Sequence, residues 1–241
     1  MDMNRKILCG EEISVSEKRE VVTVLLGAVC SEERRIQYKK GMHTNPDTDN
    51  MYPNFYISPY NGGKKLRLIQ GYLPKTYILY ANHYELEILR LLYLFAPDNE
   101  IVCDMVEATL QRLKGACFGN SCIQGECLAA GISVLRFLTV VCPNETEWID
   151  NLLTPLGEVF LSLGIGQAVR RDVPVTYLLM ALTDIGNEKA CKLIRHNRDW
   201  LQNYSGRLSY NKSPEGELYN RLGNAIIEKA LGLIEEDEED R

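Results

Sequence analysis

Apolar residues recur at helical spacing along most of this chain, and in one region they do so twice in the same frame. Residues 86–113 and 132–159 align at an offset of 46, placing Leu89, Arg90, Leu92, Pro97, Asp104 and Leu110 on Leu135, Arg136, Leu138, Pro143, Asp150 and Leu156. Each stretch reads as an apolar helix, a Pro-Asp or Pro-Asn stop and start, then a second amphipathic helix. A period in the forties is the signature of stacked helical hairpins, because one hairpin cannot bury its own apolar face. A weaker third copy starts near Val175, where Leu178 matches Leu135 and Asn187-Glu188 matches Asn144-Glu145 at an offset of 43. The pattern predicts helices near 75–96, 98–114, 122–142, 145–162, 173–184, 187–204 and 214–235. Asp98 and Asn144 each follow a proline and suit N-caps, and Ser213-Pro214 is a further start signal.

The first third of the chain reads differently. Ser14-Val15-Ser16-Glu17 fits a capping box and opens a helix to about Tyr38, with Val21, Val22, Leu25, Leu26, Val29 and Ile36 facing inward. Residues 41–73 are rich in Asn, Asp and Pro. Within them 55–60 and 64–70 flank Asn61-Gly62-Gly63, a turn signal that predicts a small β-hairpin near 55–70, with Pro59 at an edge. The expected fold is all-α, with stacked antiparallel helical hairpins forming an α/α superhelix. One domain spans 1–241: a first helix at 14–40, a Tyr-rich loop and hairpin at 41–73, helical hairpins over 75–235 and an acidic tail at 236–241. The architecture resembles HEAT-like arrays and, if it closes, part of an α/α toroid. That resemblance implies a fold and no particular chemistry.

Composition narrows the function. Of 241 residues 45% are hydrophobic and 25% charged, ordinary for a globular protein. The formal net charge of −6 is carried by Glu235–Asp240, so the remainder sums to zero and no basic nucleic-acid surface is expected. No run of 18 apolar residues suggests a membrane span, and the first residues do not read as a signal peptide. A soluble, cytoplasmic protein is therefore expected, its eight cysteines free thiols that mostly pack as small apolar groups.

Few residues point to chemistry. Cys117, Cys122 and Cys127 recur at a spacing of five, wider than the two to four typical of zinc pairs, and no second pair exists. His43, His83 and His196 are scattered, so neither metal nor cofactor is expected. Cys122 before a helix is the alternative, a nucleophile whose thiolate the helix start would stabilise. Acid–base catalysis needs two acids across a cleft, and Glu85, Glu87, Glu126 and Asp184 are candidates whose spacing singles out no pair. Arg90 and Arg136, equivalent in the repeat, predict a repeated structural contact, with Asp104 and Asp150 as natural partners. Eight of the thirteen tyrosines fall between Tyr38 and Tyr84, beside Lys64, Lys65 and Arg67. Rigid rings in polar loops make contact surfaces at low entropic cost. The expected function is a non-enzymatic binding or scaffold protein for a protein or peptide partner, with Tyr52, Tyr56, Tyr60, Lys64, Arg67, Tyr72 and Glu126 as contact residues. The alternative is an α/α-scaffold enzyme acting on a saccharide or other small polar ligand through carboxylates.

Overall fold

The computed structural model describes residues 2–41, 50–58, 77–122, 124, 126–170, 175–204 and 214–239. Their regular elements are all helices. In chain order the helices are α1 (Asp2–Leu8), α2 (Val15–Gly27), α3 (Glu32–Gly41), α4 (Tyr77–Phe95), α5 (Glu100–Gly115), α6 (Cys127–Val141), α7 (Thr146–Arg170), α8 (Val175–Ile185), α9 (Glu188–His196), α10 (Arg198–Tyr204) and α11 (Pro214–Glu239). None of the helices, as far as they are described, is long and apolar enough to cross a membrane.

Local chemistry sets the helix ends. Ser14 Oγ accepts from the Glu17 N–H at 3.2 Å while Glu17 Oε2 accepts from the Ser14 N–H at 2.9 Å, the reciprocal box that opens α2. The single helix expected to reach Tyr38 breaks after Gly27. There the N–H groups of Ala28 and Val29 turn back onto Leu25 and Leu26, and Ser31 Oγ then accepts from Arg34 N to start α3. The cap of α5 is Asn99, one residue beyond the expected Asp98, with its side chain accepting from Val102 N at 3.2 Å. Asn187 caps α9 in the same way, through Ala190 N at 2.9 Å. The helix expected over 187–204 is two, α9 and α10. At their junction Asn197 is buried, donates its amide to Leu193 O and accepts Leu201 N on its carbonyl. At the other end of the chain α11 runs to Glu239, so most of the acidic run is helical.

The expected β-hairpin is not seen in its described part. Residues 55–58 make no strand, and the other arm at 64–70 lies outside the described residues. Ile57 instead forms a single antiparallel bridge with Val29, and the Cys30 N–H donates to Tyr56 O at 2.7 Å.

The chain gathers into two compact units. One comprises 13–68 and 73–152, and holds α2 to α6 with the start of α7. Its centre is the packing of α4 on α6, the helices of the two stretches that align in the sequence. Twelve of the fifteen α6 residues are buried. Leu86, Leu89 and Leu92 of α4 and Ile132, Leu135 and Leu138 of α6 are wholly enclosed, each side chain contributing about 1.5–3 kcal/mol. Ala129-Ala130-Gly131 on α6 keeps that helix close to the loop before it: a Cβ on Gly131 would lie 3.4 Å from Phe118 O. The other unit comprises 1–12, 69–72 and 153–241. In it α11 packs on α8 and α9; Tyr219, Ile226, Ile227 and Ile234 of α11 are buried, and Tyr177 and Leu179 of α8 are fully buried.

Candidate functional site

Among the described residues most buried polar side chains lie in the unit built on α4 and α6, where the short segment 50–58 is strapped onto the helices. Glu85 of α4 is buried and grips the strap with both oxygens. Oε1 accepts from Asn54 N and Oε2 from Tyr56 N, each at 2.7 Å. Two amides can converge on one carboxylate because Phe55 between them takes φ 58°, the left-handed region that a bulky residue adopts only when its surroundings impose it. Burial fixes it there, since Phe55 is fully enclosed with its ring 5.7 Å from that of Tyr38. Further bonds hold the strap along its length. Asn82 donates to Met51 O at 2.8 Å, Arg112 to Asn50 O at 3.0 Å, Arg35 to Asn54 O at 2.9 Å, and Asn54 to Thr109 Oγ1 at 3.3 Å. Burial pushes the Glu85 carboxyl above its ordinary range, against the pull of Arg112 and the two amides.

A second polar row runs between α4 and α6. His83 and Glu87 are one turn apart on α4, and Ser133 and Arg136 face them from α6. His83 Nδ1 lies 3.3 Å from Ser133 Oγ, and Arg136 Nη1 donates to Glu87 Oε1 at 2.6 Å. Both members of the ion pair are almost fully enclosed. Burial, and Arg136 nearby, hold the His83 imidazole neutral, its pKa lowered to about 4 despite the opposing pull of Glu87. Arg136 thus makes a structural contact to a carboxylate, that of Glu87. Arg90 is buried, and Asp104, its expected partner, is exposed.

The loop between α5 and α6 carries the third group. After Gly115 it makes a turn of 3-10 helix at Cys117–Gly119, and Ser121 (φ 64°) folds the chain back so that Cys122 N reaches Cys117 O at 3.3 Å. That reversal brings three thiols together. The sulfurs of Cys117, Cys122 and Cys127 all lie within 4.8 Å of one another, with Cys117 and Cys127 at 3.3 Å. Among the described residues no other group of three or more His, Cys, Asp and Glu side chains gathers in this way. The spacing of five is thus no obstacle to convergence. Burial and the two neighbouring thiols push the Cys127 thiol up. These sulfurs could hold a soft metal ion.

The contact residues expected from sequence fall in different places. Tyr56 is buried, with the Arg35 guanidinium 4.0 Å over its ring, and Tyr52 is half-buried. Glu126 precedes α6 and is half-buried, its carbonyl accepting from Ala130 N at 2.9 Å. Tyr60, Lys64, Arg67 and Tyr72 lie outside the described residues. Of the candidate acids, Glu85 and Glu87 hold the strap and the ion pair, while Asp184 is half-buried near the end of α8 in the other unit. Glu85 as an anchor for backbone amides was missed, because its partners stand 31 and 29 residues upstream. The one signal for it was an acid on the apolar side of a helix.

Compared with known proteins, the chain matches no family model, no curated protein sequence and no solved structure.

Proposed function

We propose that the protein is a non-enzymatic binding protein, a helical-repeat scaffold that receives a protein or peptide partner on the α2 side of the unit holding the strap. The observation that carries this reading is α2 itself. It bears Val15, Val21, Val22, Val24, Leu25 and Leu26, and none of its residues is buried. At 100° per residue these six side chains cover more than half of the helix circumference. Val15 and Val24 are each 64% exposed, and Ile36 of α3 is 44% exposed. Val21, Val22, Leu25 and Leu26 are half-buried, so one side of the helix is partly covered, while Val15 and Val24 stay open to solvent and offer a partner apolar surface to cover. Two of the four acids weighed for catalysis support the same reading, since Glu85 and Glu87 are enclosed and bonded within the fold. The packing of α4 on α6 agrees with a HEAT-like array in which each hairpin contacts its neighbour.

Photo-cross-linking in the native cell tests this. A cross-linker at Val24 should capture one defined protein, and the same group at Thr23, exposed but 100° round the helix, should capture none. Equal capture from both positions, or none from either, would overturn the reading. Capture of a second copy of this chain would replace a foreign partner with self-association.

A further inference from the structure

We propose that Cys117, Cys122 and Cys127 form a binding site for one thiophilic divalent metal ion of the zinc type, held by three thiolates with a fourth position open to a small exogenous ligand. The proposal is independent of the surface assigned to α2.

Geometry is the first support. A tetrahedral zinc with Zn–S bonds of about 2.3 Å sets its sulfurs about 3.8 Å apart. The three sulfurs already stand within 4.8 Å of one another, and the nearest pair is at 3.3 Å. Side-chain rotation alone can bring them to that spacing. A disulfide would need two of them at about 2.05 Å and would leave the third without a role.

Exposure is the second. Cysteines that act as small apolar residues are enclosed, as Cys30 and Cys191 are. Cys117 is exposed, and Cys122 and Cys127 are only partly covered. Core packing does not explain why these three converge.

The third support is the framework around them, which fixes the loop from several directions. Asn120 donates to Lys114 O and Ala116 O at 2.7 and 2.8 Å, tying the loop to the end of α5. Trp148 of α7 donates its indole N–H to Gly119 O at 2.8 Å. Gly119 has to be glycine, because a Cβ there would fall 2.1 Å from Leu113 O. Ser121 Oγ donates to Asn151 O at 2.5 Å. That carbonyl is open to it because Pro155, four residues on in α7, has no N–H to give. Phe118 is buried and anchors the turn from below. Preorganised thiols lower the entropic cost of closing around an ion.

The donor set selects the ion class. Thiolates favour zinc and other soft metals over magnesium or calcium, and among the described residues no carboxylate joins the three sulfurs. Uptake converts three S–H groups into three metal–sulfur bonds and releases three protons to solvent. No electron is transferred, and the complex carries one net negative charge.

The experiment is native mass spectrometry of the full chain purified without chelator and reloaded with zinc, beside a cobalt titration followed by its thiolate-to-metal charge-transfer absorption. One metal per chain and a tetrahedral thiolate–cobalt spectrum are expected. Cys117→Ser, Cys122→Ser and Cys127→Ser should each weaken cobalt binding by more than the roughly 10–100-fold that loss of an outer-shell partner costs, while Cys9→Ser leaves it unchanged. The unmutated chain supplies a check that does not depend on the variants folding. With zinc present Cys117, Cys122 and Cys127 should resist iodoacetamide together, and a chelator should expose all three together. Overturning outcomes are a metal-free chain whose three thiols alkylate equally with and without zinc, a disulfide within the trio in freshly isolated protein, or binding that survives all three substitutions.

Discussion

Helices α2 and α6 have similar lengths and are both rich in aliphatic residues, yet α6 buries twelve of fifteen residues and α2 buries none of thirteen. The difference lies in what each helix is given to pack against. The α6 helix meets α4 along a shared face and carries small residues at the approach to the preceding loop. The α2 helix touches α4 but has no second layer over its outer face among the described residues. Apolar content therefore reports that a surface needs covering. It does not report whether the chain itself supplies the cover.

The largest test of this contrast is at the centre of the α4–α6 contact. Arg136→Ala removes the guanidinium that pairs with a carboxylate that is 4% exposed, so the variant should lose about 3–5 kcal/mol in urea unfolding. Replacing both Arg136 and Glu87 by methionine should restore most of it, because the cost lies in the stranded charge and not in the missing bond. A loss below about 1 kcal/mol for Arg136→Ala would mean that water reaches this interface, and the contrast with α2 would weaken.

A smaller effect follows from the same interface through pH. His83 has a folded pKa of about 4, below the 6.5 of an accessible histidine. Between those values the unfolded chain binds more protons than the folded one. Stability should then fall as pH drops from 6.5 toward 4, and His83 should contribute no slope above that window. At 1.36 kcal/mol per pH unit the loss approaches about 3 kcal/mol at the acid end. Glu85 acts with the opposite sign, since burial raises its folded pKa above 4.5 and acidification relieves that cost. Comparing the native chain with His83→Gln separates the two: the native curve should fall more steeply between pH 6.5 and 4. Parallel curves would place a hydrated imidazole at this position.

The paired helices α4 to α7 were legible in the sequence because apolar period and proline breaks agree there, although the cap of α5 is Asn99 and not Asp98. The break between α2 and α3 was hidden, since the apolar positions continue through Val29 and only the backbone bonds of Ala28 and Val29 show the turn. Glu85 was seen as a candidate acid, but its anchoring of the strap depends on Asn54 and Tyr56, residues of a segment that carries no regular pattern of its own. The three thiols stand out in the sequence, but their spacing of five argues against a metal site there. Spacing rules assume a regular turn between ligands. Here the convergence depends on Ser121 at positive φ, on the close approach at Gly119 and on a hydrogen bond from Trp148, 29 residues from its acceptor. Such contacts are properties of the folded unit and leave no local signature.

The smallest expected effect bears most directly on α2. Val24 is 64% exposed, so Val24→Ala removes little buried area, while alanine is the better helix former by about 0.5 kcal/mol or a little more. The isolated protein should be unchanged or slightly stabilised, with its unfolding midpoint independent of protein concentration. On α6 the same logic reverses: a truncation such as Leu135→Ala opens a cavity and costs about 2–5 kcal/mol. If Val24→Ala instead destabilises by more than about 1 kcal/mol, and the loss shrinks on dilution, α2 is already covered in solution by another copy of the chain. The difference between α2 and α6 would then lie between two interfaces, one within the chain and one between chains.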